Sequence, residues 1–246
     1  MSLTPWWMRR LRLFAVPIWV AIGIVVSIGV YQTLVGKEFD SQILNAPNLM
    51  SETIQHVFLS GVSFGLVAAI GVPLGVVIAQ AGRAVRVPVF LLANLGQAIP
   101  GIGLLVLLFA FLGLGVTPTV IALVVYGLLP VLRNTVAGIQ GVDPAAVDAA
   151  RGMGMTRWQA LARVQLPLAS PLVFAGLRTA LVLIIGTATL GNFIGGGGLG
   201  DVIAAGINNS DRMVFVGAVM VASLALLADW GLSMIERIAV PRQVSR

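Results

Sequence analysis

An all-α protein with six membrane spans is the fold class that the sequence predicts, and three observations carry the prediction. Of the 246 residues, 58% are hydrophobic and only 10% charged. The mean hydropathy is +1.00. The charges that remain are gathered into short clusters separated by long uncharged runs. A soluble domain carries about 25% charged residues, so this chain has too few to cover a water-facing surface, and lipid is the solvent it fits. Cysteine is absent, which removes disulfides, thiolate nucleophiles and cysteine metal sites. The lone His56 has no His/Glu cluster around it in sequence, so no metal site is expected.

The uncharged runs place the spans in order. Leu13 to Gly36 is a run of 24 residues after Arg9, Arg10 and Arg12. Its apolar stretch exceeds the roughly 7–15 residues of a signal-peptide core, and no A-x-A-like site follows, so it reads as an uncleaved anchor. Thr53 to Gly82 is a run of 30, interrupted only by His56. Val87 to Leu132 holds 46 uncharged residues, which is two spans, because one helix needs about 20. Gly113, Gly115 and Pro118 supply the turn between them. A fifth run follows Pro167 and contains only Arg178; a sixth, Met213 to Ile235, contains only Asp229.

Lys and Arg set the orientation. With the N-terminus inside, twelve of the fifteen basic residues fall in inner segments, Lys37 and Arg212 fall outside, and Arg178 lies within a span. Six spans return the C-terminus to the cytoplasmic side with Arg237, Arg242 and Arg246. The formal net charge of +6 is therefore a topology signal facing anionic lipid, and no nucleic-acid partner is expected.

The inner segment between spans four and five is the long one, GIQGVDPAAVDAARGMGMTRWQALARVQLP. Asp143 before Pro144 is a good N-cap with proline in the first turn. The helix it starts is broken at Gly152 to Gly154, and Thr156 caps a second short helix running through Gln159 and Ala162. On composition alone, this is either an amphipathic hairpin that merely joins two spans or an interaction element. Asp148-Ala149-Ala150, then Gly154, then Val164, Leu166 and Pro167 match the spacing E-A-A-x3-G-x9-I-x-L-P of the EAA loop in bacterial ABC importer permeases. Asp148 for Glu and Val164 for Ile are conservative departures.

The similarity runs from about Ser51 to Asp229. GQAIPGIGLL, YGLLPVLRNT and LRTALVLIIGTATLGNFIGGGGLG resemble the quaternary-amine branch of these permeases, which imports glycine betaine, choline and carnitine. The glycine-rich segment is also similar to methionine-importer permeases. The resemblance implies a bacterial inner-membrane permease of the type I importer fold. Residues 1–50 would hold the cytoplasmic tail, anchor helix and outer loop, 51–237 the permease core with its coupling loop at 143–167, and 238–246 a cytoplasmic tail. It implies that the loop enters a groove on a separate ATPase subunit, which holds the ATP and magnesium, and that this chain carries no cofactor. The other implied partners are a substrate-binding protein and a second permease copy or paralogue.

The remaining marked residues have two readings each. Gly195, Gly196, Gly197 and Gly198 lack the Lys-Ser/Thr of a phosphate loop; they read as a flexible helix end or as an outer gate in which glycines permit close packing. Gln97 and Pro100 within span three mark either a kink or the transport pathway. Tyr126, Asn134, Thr187, Thr189 and Asn192 either bond helix carbonyls or, taken as a set, line that pathway. His56 reads as a satisfied interfacial histidine. Tyr126 is the sole Tyr or Trp well inside a span, and one ring makes no quaternary-ammonium cage; Trp19, Tyr31 and Trp230 fit an aromatic belt, while Trp6, Trp7 and Trp158 lie outside the spans. Arg178 and Asp229 are each about 10 Å from the inner boundary, so they either pair or are solvated separately, Arg178 by snorkelling.

An importer of methionine or another amino acid is the alternative within the class. An ion-coupled secondary transporter is the alternative outside it, disfavoured because no internal repeat and only two intramembrane ionisable groups are read. A membrane enzyme is disfavoured further, since almost no acid–base groups lie at depth.

Overall fold

The computed structural model describes residues 15–23, 25 and 42–240. Among these every regular element is helical. Residues 15–23 form a helical segment, and Gly23 lies against Ser223 and Val219 near the end of the chain. The elements that follow are α1 (Ala46–Gln80), α2 (Arg83–Ala98), α3 (Gly101–Leu112), α4 (Val116–Gln140) and α5 (Pro144–Gly152). Then come α6 (Arg157–Ile194), α7 (Leu199–Ile207) and α8 (Asp211–Ala239). The first expected span lies mostly outside the described residues, as do Trp6, Trp7 and Tyr31.

Four helices, α1, α4, α6 and α8, are long and apolar enough to cross a membrane, and α2 with α3 makes a fifth crossing only as a pair bent by 97°. Span three is thus not the single helix expected from its uncharged run. Proline has no N–H and biases its predecessor toward extended backbone. Ile99 accordingly adopts φ −70°, ψ 127°, and the helix stops before Pro100 and restarts after it. The turn at Gly113 (φ 77°) and Gly115 (φ 119°) occupies backbone that only glycine adopts without strain. Helix α1 begins seven residues before the uncharged run does, because Asn45 accepts from Asn48 N at 2.9 Å and Pro47 sits in the first turn.

The core is the packing of α1, α4 and α6. The buried stripe of helix α1 interleaves small or polar residues, His56, Ser60, Ser63, Gly71 and Gly75, with Leu59, Val67 and Ile78, while Phe58, Val62, Leu66 and Ile70 face outward. Lipid removes the hydrophobic drive to bury large side chains, so backbones approach through small residues instead. A Cβ on Gly75 would lie 2.7 Å from Thr135 Cβ of α4, and one on Gly176 of α6 would lie 2.7 Å from Asn134 Cβ. Around these contacts Val67, Leu123, Val131, Ala180, Ile184 and Ala188 form a continuous buried cluster.

Helix α8 joins α6 through charge. Arg178 donates from Nε and Nη2 to Asp229 Oδ1 and Oδ2, both at 2.7 Å, and Glu236 lies 3.7 Å from Arg178 Nη1. The chain leaves the Arg178 and Asp229 side chains 38% and 30% exposed, so at this depth the forked pairing, rather than burial, neutralises them. Removing Arg178 strands Asp229, and removing Asp229 leaves Arg178 only the more distant Glu236; an unpaired charge costs about 2.5–3.5 kcal/mol on insertion scales. Arg178→Met and Asp229→Leu are each expected to lower the yield of inserted protein and its melting temperature in detergent. The double variant should recover both; a double variant worse than either single would reject mutual neutralisation.

Candidate functional site

In the segment between α4 and α6, Asp143 Oδ1 accepts from Ala145 N at 2.9 Å and starts α5. This short helix buries Val147 and Ala150 and leaves Asp148 and Ala149 exposed. The chain then reverses at Gly154, whose φ is +86°, with open space around its Cα. Met153 and Trp158 flank this turn at 73% and 71% exposed, so the tip of the loop presents apolar surface. Thr156 and Gln159 form a reciprocal capping box: Thr156 N donates to Gln159 Oε1 at 2.8 Å and Gln159 N to Thr156 Oγ1 at 3.3 Å.

The second helix of the loop is not the separate short element that the sequence predicts. It runs into span five as the single long helix α6, through a π-helical turn at Leu161–Gln165. Pro167 cannot donate to the carbonyl four residues back, and its ring crowds that position; the wide turn immediately before it relieves both. Leu161, Leu166 and Ala169 anchor this stretch on Ile139, Val76 and Ala79. The motif residues therefore divide: Asp148, Ala149 and Gly154 form an exposed joint, while Ala150, Val164, Leu166 and Pro167 are buried or half-buried.

Midway through the molecule, Gln97, Pro100 and Tyr126 come together at the break between α2 and α3. Tyr126 O has no donor four residues ahead, because that residue is Pro130; Gln97 Nε2 donates to it at 2.8 Å. The Tyr126 hydroxyl in turn donates to the Ile99 carbonyl, freed where α2 ends. Asn134 donates to the Pro130 carbonyl of its own helix at 2.8 Å and packs on Gly176. These side chains close backbone groups that two prolines leave open.

At its end away from the Gly154 turn, α6 tightens into a 3₁₀ turn, Thr189–Ile194. Thr189 N turns to Thr187, and the Ile185 carbonyl it would have bonded is taken by His56 Nε2 at 3.0 Å. His56 is fully buried, not interfacial as expected, and its Nδ1 has no partner. Thr189 Oγ1 donates to its own helix at Gly186 O, 2.8 Å away, and Thr187 is half-buried nearby. Gly195 to Gly198 cross over α1 and α4 with positive φ at Gly195, Gly197 and Gly198. Gln55, which no sequence motif marked, straps this loop: Nε2 donates to Gly196 O at 3.3 Å, and Gly198 N donates to Oε1 at 3.3 Å.

Beside the loop opens a cavity of about 430 Å³, lined by Glu52, Asp201, Asn48, Asn192, Ile43 and Val202. Asn192 donates to Asp201 Oδ1 at 2.6 Å, and Glu52 Oε2 is buried without a partner. Two carboxylates with apolar walls suit a cationic head group better than an anionic one. Glu52 and Asp201 are separated by most of the chain, so no local spacing announced their meeting. Among the described residues, no group of three or more His, Asp or Glu is placed to hold a metal ion.

Gln97→Leu leaves the buried Tyr126 carbonyl without a donor and is expected to destabilise the protein by about 1–3 kcal/mol, read as a lower unfolding midpoint. Adding Pro130→Ala restores an N–H and should recover most of that loss. Failure of Pro130→Ala to recover stability would mean that Gln97 does not serve this carbonyl.

Residues 71–238 match the model of the family described as "Binding-protein-dependent transport system inner membrane component". The carnitine transport permease protein OpuCD of Listeria monocytogenes is 41% identical over 199 residues, 80% of this chain and 89% of the relative. The osmoprotectant import permease protein OsmW of Salmonella typhimurium is 41% identical over 206 residues, 81% of this chain and 95% of the relative. The glycine betaine/carnitine/choline transport system permease protein OpuCB of Bacillus subtilis is 38% identical over 199 residues, 80% of this chain and 91% of the relative. In fold, the chain is similar to a chain of the MetNI methionine ABC transporter in an inward-facing conformation, with a TM-score of 0.70 at 24% identity over 80% of this chain and 100% of that one. A match across 168 residues, with relatives near 40% identity covered almost end to end, makes this chain a member of the binding-protein-dependent transport system inner membrane component family.

Proposed function

We propose that this permease carries glycine betaine, choline, carnitine or a related osmoprotectant inward through the bacterial plasma membrane. It does so as the spanning subunit of an ATP-driven importer. The observation that carries the reading is the exposed joint at Asp148, Ala149 and Gly154, at the end where basic residues concentrate; the names of its relatives support the substrate class. Six spans with both termini cytoplasmic remain part of the proposal, supported by the helical segment at residues 15–23 and by the charge asymmetry.

In this reading two permease subunits, a second copy or a paralogue, enclose the pathway above two ATPase subunits. A loaded binding protein docks outside, closure of the ATPases displaces the Asp143 to Pro167 loop, and the helices alternate access. ATP and magnesium belong to the ATPase, which performs the hydrolysis. High-affinity recognition rests with the binding protein, because Tyr126 is a single ring whose hydroxyl is already engaged.

The decisive experiment reconstitutes the permease with its ATPase and binding protein in proteoliposomes and measures uptake of betaine, choline, carnitine and methionine. Uptake of methionine alone would replace the substrate class with the amino-acid alternative. Gly154→Trp forces an L side chain into left-handed backbone at about 1–2 kcal/mol and adds bulk at the joint. It should leave the protein inserted but lower uptake per ATP hydrolysed; unchanged coupling would count against the assignment of the loop. Calorimetry of the permease without its binding protein is expected to give no micromolar betaine binding.

A further inference from the structure

The inner end of α1 carries a polar cluster that the assignments above leave unused. Helix α1 has no basic residue in its last turn, so its terminal carbonyls are answered from other elements. Gln140 donates to Ala79 O at 3.3 Å, Arg157 Nη2 to Gln80 O at 3.4 Å, and Arg86 to Ala81 O at 3.1 Å. The Gln80 side chain does more. Its Oε1 accepts from Arg157 Nη2 at 3.0 Å and Nε at 3.3 Å, and its Nε2 donates to Gln165 Oε1 at 3.2 Å.

We propose that Gln80 and Arg157 are positioning residues that fasten the coupling loop to α1, so that displacement of the loop moves α1 as a rod and carries the outer glycine loop with it. Arg157 is the first residue of α6 and lies three residues past Gly154, while Gln165 closes the π turn. Gln80 therefore grips both ends of the segment between the joint and the span. Bonds from a guanidinium are stronger than neutral ones, and a π turn is a frequent site of functional adjustment in helices. Beneath the polar bonds, Leu161, Ala169 and Ile139 pack with Val76 and Ala79, excluding slack between the elements.

The opposite end of the rod is the Gln55 strap on Gly196 and Gly198. Gln55 and Gln80 are 25 residues apart in one helix, about 37 Å at 1.5 Å per residue, which exceeds the roughly 30 Å hydrocarbon layer. Along that length α1 continues unbroken past its internal Pro73, and on either side of the proline Gly71 and Gly75 hold it against Val131 and Thr135 of α4 without room for a methyl group. The inner clasp and the outer strap are thus two ends of one packed body.

This inference rests on the reading of the loop as the ATPase joint, and its test separates the two. The complete transporter in proteoliposomes is assayed for uptake, per ATP hydrolysed, of whichever of glycine betaine, choline or carnitine the wild type carries. Gln80→Leu is expected to lower that ratio about tenfold, within the usual range of coupling between sites, with the ATPase still copurifying. Gln80→Glu keeps the acceptor for Arg157, and the Gln165 amide can turn its N–H toward the new carboxylate, so this variant should retain the wild-type ratio. Gln80→Leu combined with Arg157→Leu should be no worse than the worse single variant. If Gln80→Leu does not insert, Arg157→Gln carries the same expected loss. A wild-type ratio in Gln80→Leu, or multiplying losses in the double variant, overturns the clasp. Uncoupling by Gly154→Trp with normal coupling in Gln80→Leu leaves the loop reading standing; normal coupling in Gly154→Trp removes the loop reading itself.

Discussion

Hydrocarbon contains no water to take up a backbone N–H or C=O, so every such group inside the membrane must find its partner within the protein. That constraint organises the polar chemistry of this permease. Prolines and glycines break the helices where close packing or a change of direction requires it, and each break exposes a carbonyl. Gln97 answers the carbonyl that Pro130 leaves open, Tyr126 answers the one at Ile99, and His56 answers the one at Ile185. Gln55 does the same for the glycine loop with one donor and one acceptor. The side chains that a sequence reading marks as costly at depth are largely those that make broken helices tolerable.

The second consequence concerns packing. With lipid outside, large apolar side chains gain nothing by turning inward, and van der Waals contact between backbones becomes the stabilising term. Helix α1 shows this on its buried side, where Gly and Ser are interleaved with Leu59, Val67 and Ile78 and let the backbones approach, while Phe58, Val62, Leu66 and Ile70 face outward. Close-packed interiors transmit displacement rather than absorbing it. The three central helices pack against one another, and regular helix is interrupted at the 97° break, the π turn, the turn at Gly154 and the glycine loop.

Under the proposed function these interruptions lie where an importer needs them. The inner joint offers apolar side chains and a reversible backbone turn to an ATPase. The cavity beside the glycine loop offers two carboxylates and, among the described residues, no aromatic ring in its lining, which suits brief passage of a cationic head group rather than tight retention. Arg178 and Asp229 hold α8 to α6 away from both ends, and they stabilise the assembly by cancelling charge rather than by contacting cargo.

Membrane residence, the all-helical fold and the position of the loop between the fourth and fifth uncharged runs were legible in the sequence. Each depends on hydropathy or charge summed along a stretch of chain, and lipid responds to such sums. The EAA-like spacing was legible because one turn and its flanking helix hold its key residues together. Tertiary structure alone decided the rest. A kink at Pro100 was one reading of the sequence, but its 97° size, the continuity of α6 through Pro167 and the burial of His56 depend on which neighbour faces a broken turn. Gln55 and Gln80 carry no local signature, since their partners are more than fifty residues away in sequence, and Glu52 meets Asp201 only across the fold. In a chain whose helices are apolar on every side, periodicity cannot say which face meets which; the register of the small residues against one another sets that, and it exists only once the helices are packed.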